Sequence, residues 1–331
     1  MMLAPGFWNN PPASPGAIAR LLTPLGRVYA SATARRVAKE SECRLDIPVI
    51  CVGNINVGGT GKTPAVTALV QHLQQRGVNP GVISRGYGGS IKGPVEVNTK
   101  LHGSADAGDE PLLLASFCRV WVSSDRAAAA RAAAVEGIDA VIMDDGHQSP
   151  SPCRDLSIVV VDAKRGFGNG RCLPAGPLRE PVSKGLSRAD LLLSIGSDDA
   201  QAKFFENWGD AVRVPRIEAR IHPIETGMNW NGARLLAFAG IGDPEKFFNS
   251  LRELGATLVK SEALEDHQPL TLALMTRIER EAAALGAQMA TTEKDAVRLP
   301  AAFKRKVLTL PVRLKIKDWK PLDLALRNIG L

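Results

Sequence analysis

Eight consecutive residues, Asn56-Val57-Gly58-Gly59-Thr60-Gly61-Lys62-Thr63, carry the strongest chemical signal in the chain. They follow an apolar run, Ile47–Val52, and open a helical pattern over Thr63–Gln75. Glycines let successive backbone N–H groups turn inward on a phosphate, Lys62 can reach β and γ oxygens, and the Thr63 hydroxyl can ligate Mg2+. The helix start adds the positive end of its dipole. Pro64 fits that first turn, where its missing N–H is not needed. This is a Walker A loop with Asn56 in place of the first glycine, and it predicts binding of a nucleoside triphosphate.

Such a loop needs a carboxylate on the metal side, at the end of a neighbouring strand. Val141-Ile142-Met143-Asp144-Asp145-Gly146 supplies it. Asp144 is the expected Mg2+ residue, and Asp145 is a candidate for metal binding or proton transfer. Guanine recognition is disfavoured, because Thr292-Glu293-Lys294-Asp295 has the wrong order for an Asn-Lys-x-Asp element. An ATP-dependent kinase or an ATP-driven switch remains.

The elements that must position these residues read as an α/β chain with a mostly parallel, P-loop NTPase-type sheet and helices on both faces. Strands are expected at Ile47–Val52, Gly81–Ser84, Val120–Ser123, Ala140–Met143, Ile158–Val161 and Leu191–Ile195. Helical patterns lie at Thr63–Gln75, Glu110–Phe117 and Asp125–Glu136. A second alternation runs from Leu235 to Thr291. The expected division is therefore a kinase core over 46–205, an extended interdomain linker over 206–225 and a smaller C-terminal α/β lobe over 226–331.

Residues 1–45 differ in texture. Ile18, Leu21, Leu22, Leu25, Val28 and Tyr29 have helical spacing, Arg20 and Arg27 flank them, and Pro24 and Gly26 predict a kink or break. Through Arg44 the segment holds six basic residues and two acidic ones. With Phe7 and Trp8, it suits the interface of an anionic membrane.

The whole chain has 331 residues, 45% of them hydrophobic, and a net charge of +7, which excludes general disorder and favours anionic partners. No aromatic-basic element of a nucleic-acid binder is present. Five cysteines without a C-x-x-C pair argue against a disulfide framework or zinc site and for a reducing compartment. No run is long and apolar enough to span a bilayer. A soluble, intracellular protein is the expectation.

The ordered blocks of the sequence resemble the tetraacyldisaccharide 4′-kinases of lipid A biosynthesis. Val52-Gly53-Asn54 running into Gly58–Pro64 begins the match. Ser84-Arg85-Gly86-Tyr87-Gly88, Gly108-Asp109-Glu110-Pro111, Asp125-Arg126 and Asp144-Asp145-Gly146-His147-Gln148 continue it. Leu173–Glu180, Ala239-Gly240-Ile241-Gly242, Asp266-His267 and Thr292–Asp295 complete it. The resemblance implies ATP- and Mg2+-dependent phosphorylation of the 4′-hydroxyl of a tetraacylated disaccharide 1-phosphate, by a two-lobed peripheral enzyme at the cytoplasmic face of the inner membrane. An ATP-dependent switch or chaperone without a phosphate acceptor is the alternative.

The resemblance also implies roles. Asp109 and His267 would form an acid–base pair from different lobes, with lobe closure assembling it. Beside that pair, Lys62 would reach the β and γ oxygens, Asp145 would bind metal or take part in proton transfer, and Arg126 would reach the transferring phosphoryl group or the substrate's 1-phosphate. Tyr87, Gln148, Arg179 and Glu180 are the expected substrate-binding residues, Glu180 through metal or hydroxyl positioning. No role follows for His147 or Ser149. Leu270 stands where an aromatic residue is expected, which weakens the argument for substrate contacts by its loop but not for His267.

Overall fold

The computed structural model describes residues 5–331, so the first four residues of the N-terminal segment lie outside the described residues. The first part of the chain contains α1 (Ala17–Val37), β1 (Val49–Gly53), α2 (Lys62–Gln75), β2 (Pro80–Ser84) and β3 (Val95–Glu96). It continues through α3 (Ser104–Ala107), α4 (Asp109–Leu114), β4 (Arg119–Val122), α5 (Arg126–Ala134) and β5 (Ala140–Asp144). Next come β6 (Leu156–Asp162), α6 (Val182–Leu186), β7 (Leu191–Ile195), α7 (Asp198–Trp208) and β8 (Arg216–Pro223). The second lobe is built from β9 (Arg234–Ala239), α8 (Pro244–Glu253), β10 (Thr257–Ala263), α9 (Leu272–Ala284), β11 (Gln288–Thr292), α10 (Glu293–Ala296) and β12 (Val307–Leu310). The chain ends with β13 (Val312–Ile316) and α11 (Lys320–Asn328).

Nine strands form the large sheet in the order β13-β8-β7-β6-β1-β5-β2-β4-β3, parallel except at its two edges, where β13 pairs with β8 and β3 with β4 antiparallel. The central strands β1, β2, β5, β6 and β7 are buried along their whole length because both faces are covered. Alternate residues choose the face: Ile50, Val52, Ile142, Ile158, Val160 and Leu193 pack beneath α2 and α11. Val49, Cys51, Val141 and Met143 pack against α5, and Val159, Val161 and Leu192 against α7 and Tyr29 of α1. The smaller sheet, β10-β9-β11-β12, is wholly parallel.

The segment read as a linker is in part a strand. Residues 216–223 form β8, which pairs with β7 and β13 inside the large sheet. Its alternation, Ile217 and Ala219 buried between Arg216, Glu218 and Arg220, is that of a strand burying one face. The C-terminal segment also divides differently. After β12 the chain crosses back, so β13 and α11 complete the first lobe, with Leu314, Leu322 and Leu326 in its core.

The N-terminal segment differs as well. α1 is one continuous helix of 21 residues, with Pro24 inside it. Pro24 lies on the exposed side, where water can satisfy the carbonyl its missing N–H leaves. The buried side is made of small residues, Ala19, Gly26 and Thr33. At Gly26 a Cβ would lie 2.8 Å from the Cys172 carbonyl, so only glycine permits this approach. Gly26→Val is expected to cost about 1–3 kcal/mol by overpacking, read as a lowered thermal midpoint. Trp8 is docked on the protein, its indole N–H donating to the Pro174 carbonyl at 3.1 Å. Among the described residues no helix is long and apolar enough to cross a membrane.

Candidate active site

β1 ends at Gly53 in the centre of the large sheet and delivers the phosphate loop to the start of α2. Gly61, at φ +91°, turns the chain into the helix, and a Cβ there would strike Ile195 at 2.6 Å. Gly58 is also left-handed, and a side chain at Gly58 or Gly59 would enter open space. Among the described residues no backbone carbonyl takes the N–H of Gly58, Gly59 or Gly61, which leaves them for an anion. Two members of the loop differ from expectation. The Val57 N–H is committed to the Pro177 carbonyl at 2.8 Å, and the buried Asn56 amide donates to the Gly166 carbonyl at 3.0 Å. Both hold the loop's shape; neither group points to a phosphate. Thr60 receives a hydrogen bond from the Asn54 amide at 2.9 Å, fixing its hydroxyl.

β5 carries Asp144 to the edge of this loop, paired with Val52 of β1. Its Oδ2 accepts from the Ser84 hydroxyl at 3.3 Å, while Oδ1 is buried without a hydrogen-bond partner. Burial, with Glu110 and Asp145 nearby, raises this carboxyl to about 7. An orphaned buried carboxylate oxygen beside a phosphate loop fits a divalent cation that also takes phosphate and water oxygens. Asp145 is oppositely tuned. Burial pushes it up, but Lys62, Arg179 and Arg126 outweigh burial and hold it below the ordinary carboxylate range. Lys62 Nζ lies 3.6 Å from its Oδ1 and Arg179 Nη1 2.8 Å. Neighbouring carboxyls driven apart in this way can take different tasks.

Arg126 opens α5 behind its Asp125 cap, and its Nη2 donates to the Asp145 carbonyl at 2.8 Å. Burial holds its guanidinium below the usual value, against the pull of Asp145 and Asp144. Gln148 is buried, donating to the Asn54 carbonyl at 2.8 Å and to Glu180 at 2.9 Å, while its own carbonyl accepts from Arg179 at 3.2 Å. Glu180 does not face a substrate. It is 3% exposed and both its oxygens accept from Arg188, each at 2.8 Å. Its place is behind Gln148 and Arg179, as a support. His147 is equally internal: burial, with Arg188 nearby, lowers its imidazole to about 4. Neutral at pH 7, it donates from Nε2 to the Gly185 carbonyl at 2.9 Å and accepts at Nδ1 from Ser157 at 3.2 Å.

The second lobe leans onto this site. Lys246 reaches Asp162 at 2.5 Å, Arg165 reaches Asp243 at 3.2 Å, and a Cβ on Gly242 would lie 3.6 Å from the Gly59 nitrogen. The same approach brings His267 Nδ1 to 2.8 Å from Asp109 Oδ2, across 158 residues of chain. A carboxylate only accepts, so Nδ1 carries the proton toward Asp109 and Nε2 presents its lone pair on the other side. Lys294 Nζ stands 3.3 Å from that Nε2 and 3.4 Å from Glu110. The exposed Tyr87 meets the edge of the imidazole, ring centres 6.1 Å apart. Sequence reasoning assigned nothing to Arg188, and Ser84 only a place in a motif. Arg188's signal is three-dimensional, a guanidinium returning to a carboxylate eight residues earlier.

The comparisons agree with one another. A family model described as tetraacyldisaccharide-1-P 4′-kinase matches residues 18–329. The tetraacyldisaccharide 4′-kinase of Dinoroseobacter shibae is 57% identical over 329 residues, covering 99% of this chain and 98% of its own. That of Rhodospirillum rubrum is 48% identical, covering 95% and 93%. A crystal structure of LpxK from Aquifex aeolicus in complex with ATP superposes with a TM-score of 0.76 at 26% identity, covering 95% of this chain and all of that one. On the strength of a match that runs from α1 to α11, the chain belongs to the tetraacyldisaccharide-1-P 4′-kinase family.

Proposed function

We infer that this chain transfers the γ-phosphate of ATP to the 4′-hydroxyl of a tetraacyldisaccharide 1-phosphate, giving the 1,4′-bisphosphorylated precursor of lipid A. The observation that carries this reading is the Asp109–His267 contact, which the second lobe holds over the phosphate loop of the first. A switch without an acceptor has no use for an imidazole oriented in this way.

In the reaction the acceptor hydroxyl gives its proton to His267 Nε2 as its oxygen bonds to the γ-phosphorus. The bond from that phosphorus to the β–γ bridging oxygen breaks, and ADP leaves. Asp109 fixes the tautomer and stabilises the imidazolium that forms. Lys294, now on Nε2, gives up that place to the hydroxyl. The N–H groups of Gly58–Gly61 and the Lys62 ammonium hold the β and γ oxygens. Asp144 and the Thr63 hydroxyl would hold Mg2+, which supplies charge neutralisation to those oxygens. Asp145, fixed by Arg179 and Arg126, keeps Lys62 aimed at the phosphates. Tyr87 is exposed beside His267, where the sugar must arrive. Labelled ATP supplied with tetraacyldisaccharide 1-phosphate in detergent micelles tests the reading: acceptor-dependent transfer is expected, and bare ATP hydrolysis without it would reject the kinase.

α1 supports contact with an anionic membrane surface at the cytoplasmic face of the inner membrane, where ATP and a four-chain lipid can meet. Its Ile18, Leu21, Leu25 and Val28 remain between 57% and 79% exposed while its small-residue side packs on the protein. Arg20, Arg27, Arg35 and Arg36 share the helix. Replacing Leu21, Leu25 and Val28 together by serine should weaken flotation with anionic vesicles by at least about tenfold. ATP binding is expected to be intact. Unchanged flotation would remove α1 from the membrane contact.

A further inference from the structure

Arg298 has no part in the phosphate loop or the metal side, yet its guanidinium lies where the two halves of the site meet. It is buried just beyond α10, in the second lobe. Nη1 donates to the Gln268 carbonyl at 2.9 Å and Nη2 to the Gly240 carbonyl at 3.1 Å, and the group pairs with Asp295. The Gly240 carbonyl also accepts the N–H of His267 at 3.3 Å. The Gly240 N–H in turn donates to both oxygens of Asp295, at 3.2 and 3.1 Å. One guanidinium thus grips the residue after His267 and the carbonyl that holds His267 itself.

That grip matters because His267 sits at φ +61°, a left-handed conformation that a non-glycine residue keeps only where its surroundings over-determine it. The remaining nitrogen, Nε, is buried and its N–H makes no hydrogen bond. It lies 3.4 Å from Asp109 Oδ2, the same oxygen that His267 Nδ1 meets at 2.8 Å. Asp109 belongs to α4 of the first lobe, so this unsatisfied N–H crosses between lobes toward the carboxylate of the pair.

We propose that Arg298 is the positioning residue that assembles the Asp109–His267 pair, fixing the His267 loop through its two Nη groups and drawing Asp109 of the opposite lobe onto the imidazole through Nε. The proposal rests on the reading of that pair as the proton-transfer couple. Closure around both substrates shortens the Nε–Asp109 contact into a hydrogen bond, so the pair is complete only when the lobes are together.

The test uses the full-length enzyme with Arg298→Met, Arg298→Lys and Asp109→Asn. The readouts are kcat, KM for ATP and the low-field Nδ1–H proton resonance of His267, assigned by its loss in His267→Ala. Arg298→Met is expected to lower kcat about 100-fold through misplacement alone, with KM for ATP unchanged and the resonance lost. Arg298→Lys keeps the buried charge but cannot span two carbonyls and Asp109 together. It should recover roughly tenfold of that loss with a broadened resonance, and it carries the test if the methionine variant does not fold. Wild-type kcat or an intact resonance in the folded variants would overturn the proposal. Full turnover by Asp109→Asn would instead reject the reading of the pair, whereas loss there with full turnover in Arg298→Met rejects the role of Arg298 alone.

Discussion

Asp144→Asn should lose about 10³-fold or more in kcat, the scale of removing a principal electrostatic contact to a transferring group, while its metal-free form becomes more stable at pH 8. The two effects have one origin. Asp144 is buried with one oxygen unpartnered, and its carboxyl is raised to about 7. Because the folded state binds that proton more tightly than the unfolded chain, the associated stability is complete below the unfolded value of about 4 and disappears as pH rises through about 7. Asparagine resembles the protonated form and removes the penalty, a gain on the order of 4 kcal/mol at pH 8 that vanishes near pH 4. Thermal unfolding in EDTA at pH 8 and pH 5, beside turnover with saturating ATP and lipid, checks both halves. A variant that keeps its turnover, or whose stability gain is the same at the two pH values, would contradict this account. The strain belongs to function: a carboxylate left uncompensated in the fold is one that a divalent cation can compensate.

His267→Ala carries the second large effect. General base catalysis by a positioned imidazole contributes roughly 10²–10⁴-fold, so kcat should fall within that range. KM for ATP should stay within about twofold, because among the described residues the polar partners of the His267 ring are Asp109, Lys294 and Asp266, none of them in the phosphate loop. Single-turnover experiments with ATP and enzyme in excess over acceptor isolate the chemical step. A His267→Ala enzyme with the wild-type single-turnover rate would take the imidazole out of the mechanism. Asp109→Asn keeps a side chain of the same shape and an oxygen that can accept from Nδ1, but it loses the charge that stabilises the imidazolium. Its kcat is expected to lie between the wild type and His267→Ala.

Much of the first lobe is readable from residues that are close in sequence. The phosphate loop, the apolar strand before it and the helix after it occupy 47–75 without interruption, and their structure follows from glycine geometry and periodicity. Asp144 was legible for the same reason, as a carboxylate ending an apolar run. β8 shows where local pattern falls short. Its alternation was visible, but an extended segment that buries one face looks the same in sequence whether or not another strand lies beside it. β13 and α11 were missed because nothing local tells a chain which of two sheets it will join.

The support residues divide along the same line. Gln148 and Glu180 stand in recognisable blocks, yet only the fold shows that Glu180 is enclosed by Arg188 and closed to an acceptor. Asn56 and Val57 belong to the loop in sequence, but their polar groups turn to Gly166 and Pro177 and hold its shape.

By itself the sequence determined a strand-loop-helix unit suited to nucleotide phosphates, and a carboxylate at the end of a neighbouring strand. Those features are encoded by backbone conformations and alternations a few residues long, which act wherever the segment occurs. The tertiary structure alone decided how 158 residues of intervening chain close so that His267 reaches Asp109, and how Lys294 and Arg298 come to stand around them. That outcome depends on two sheets, each with its own core, meeting through a few ion pairs and a glycine-to-backbone approach. No local periodicity specifies such a meeting. It follows from the shapes of two finished lobes.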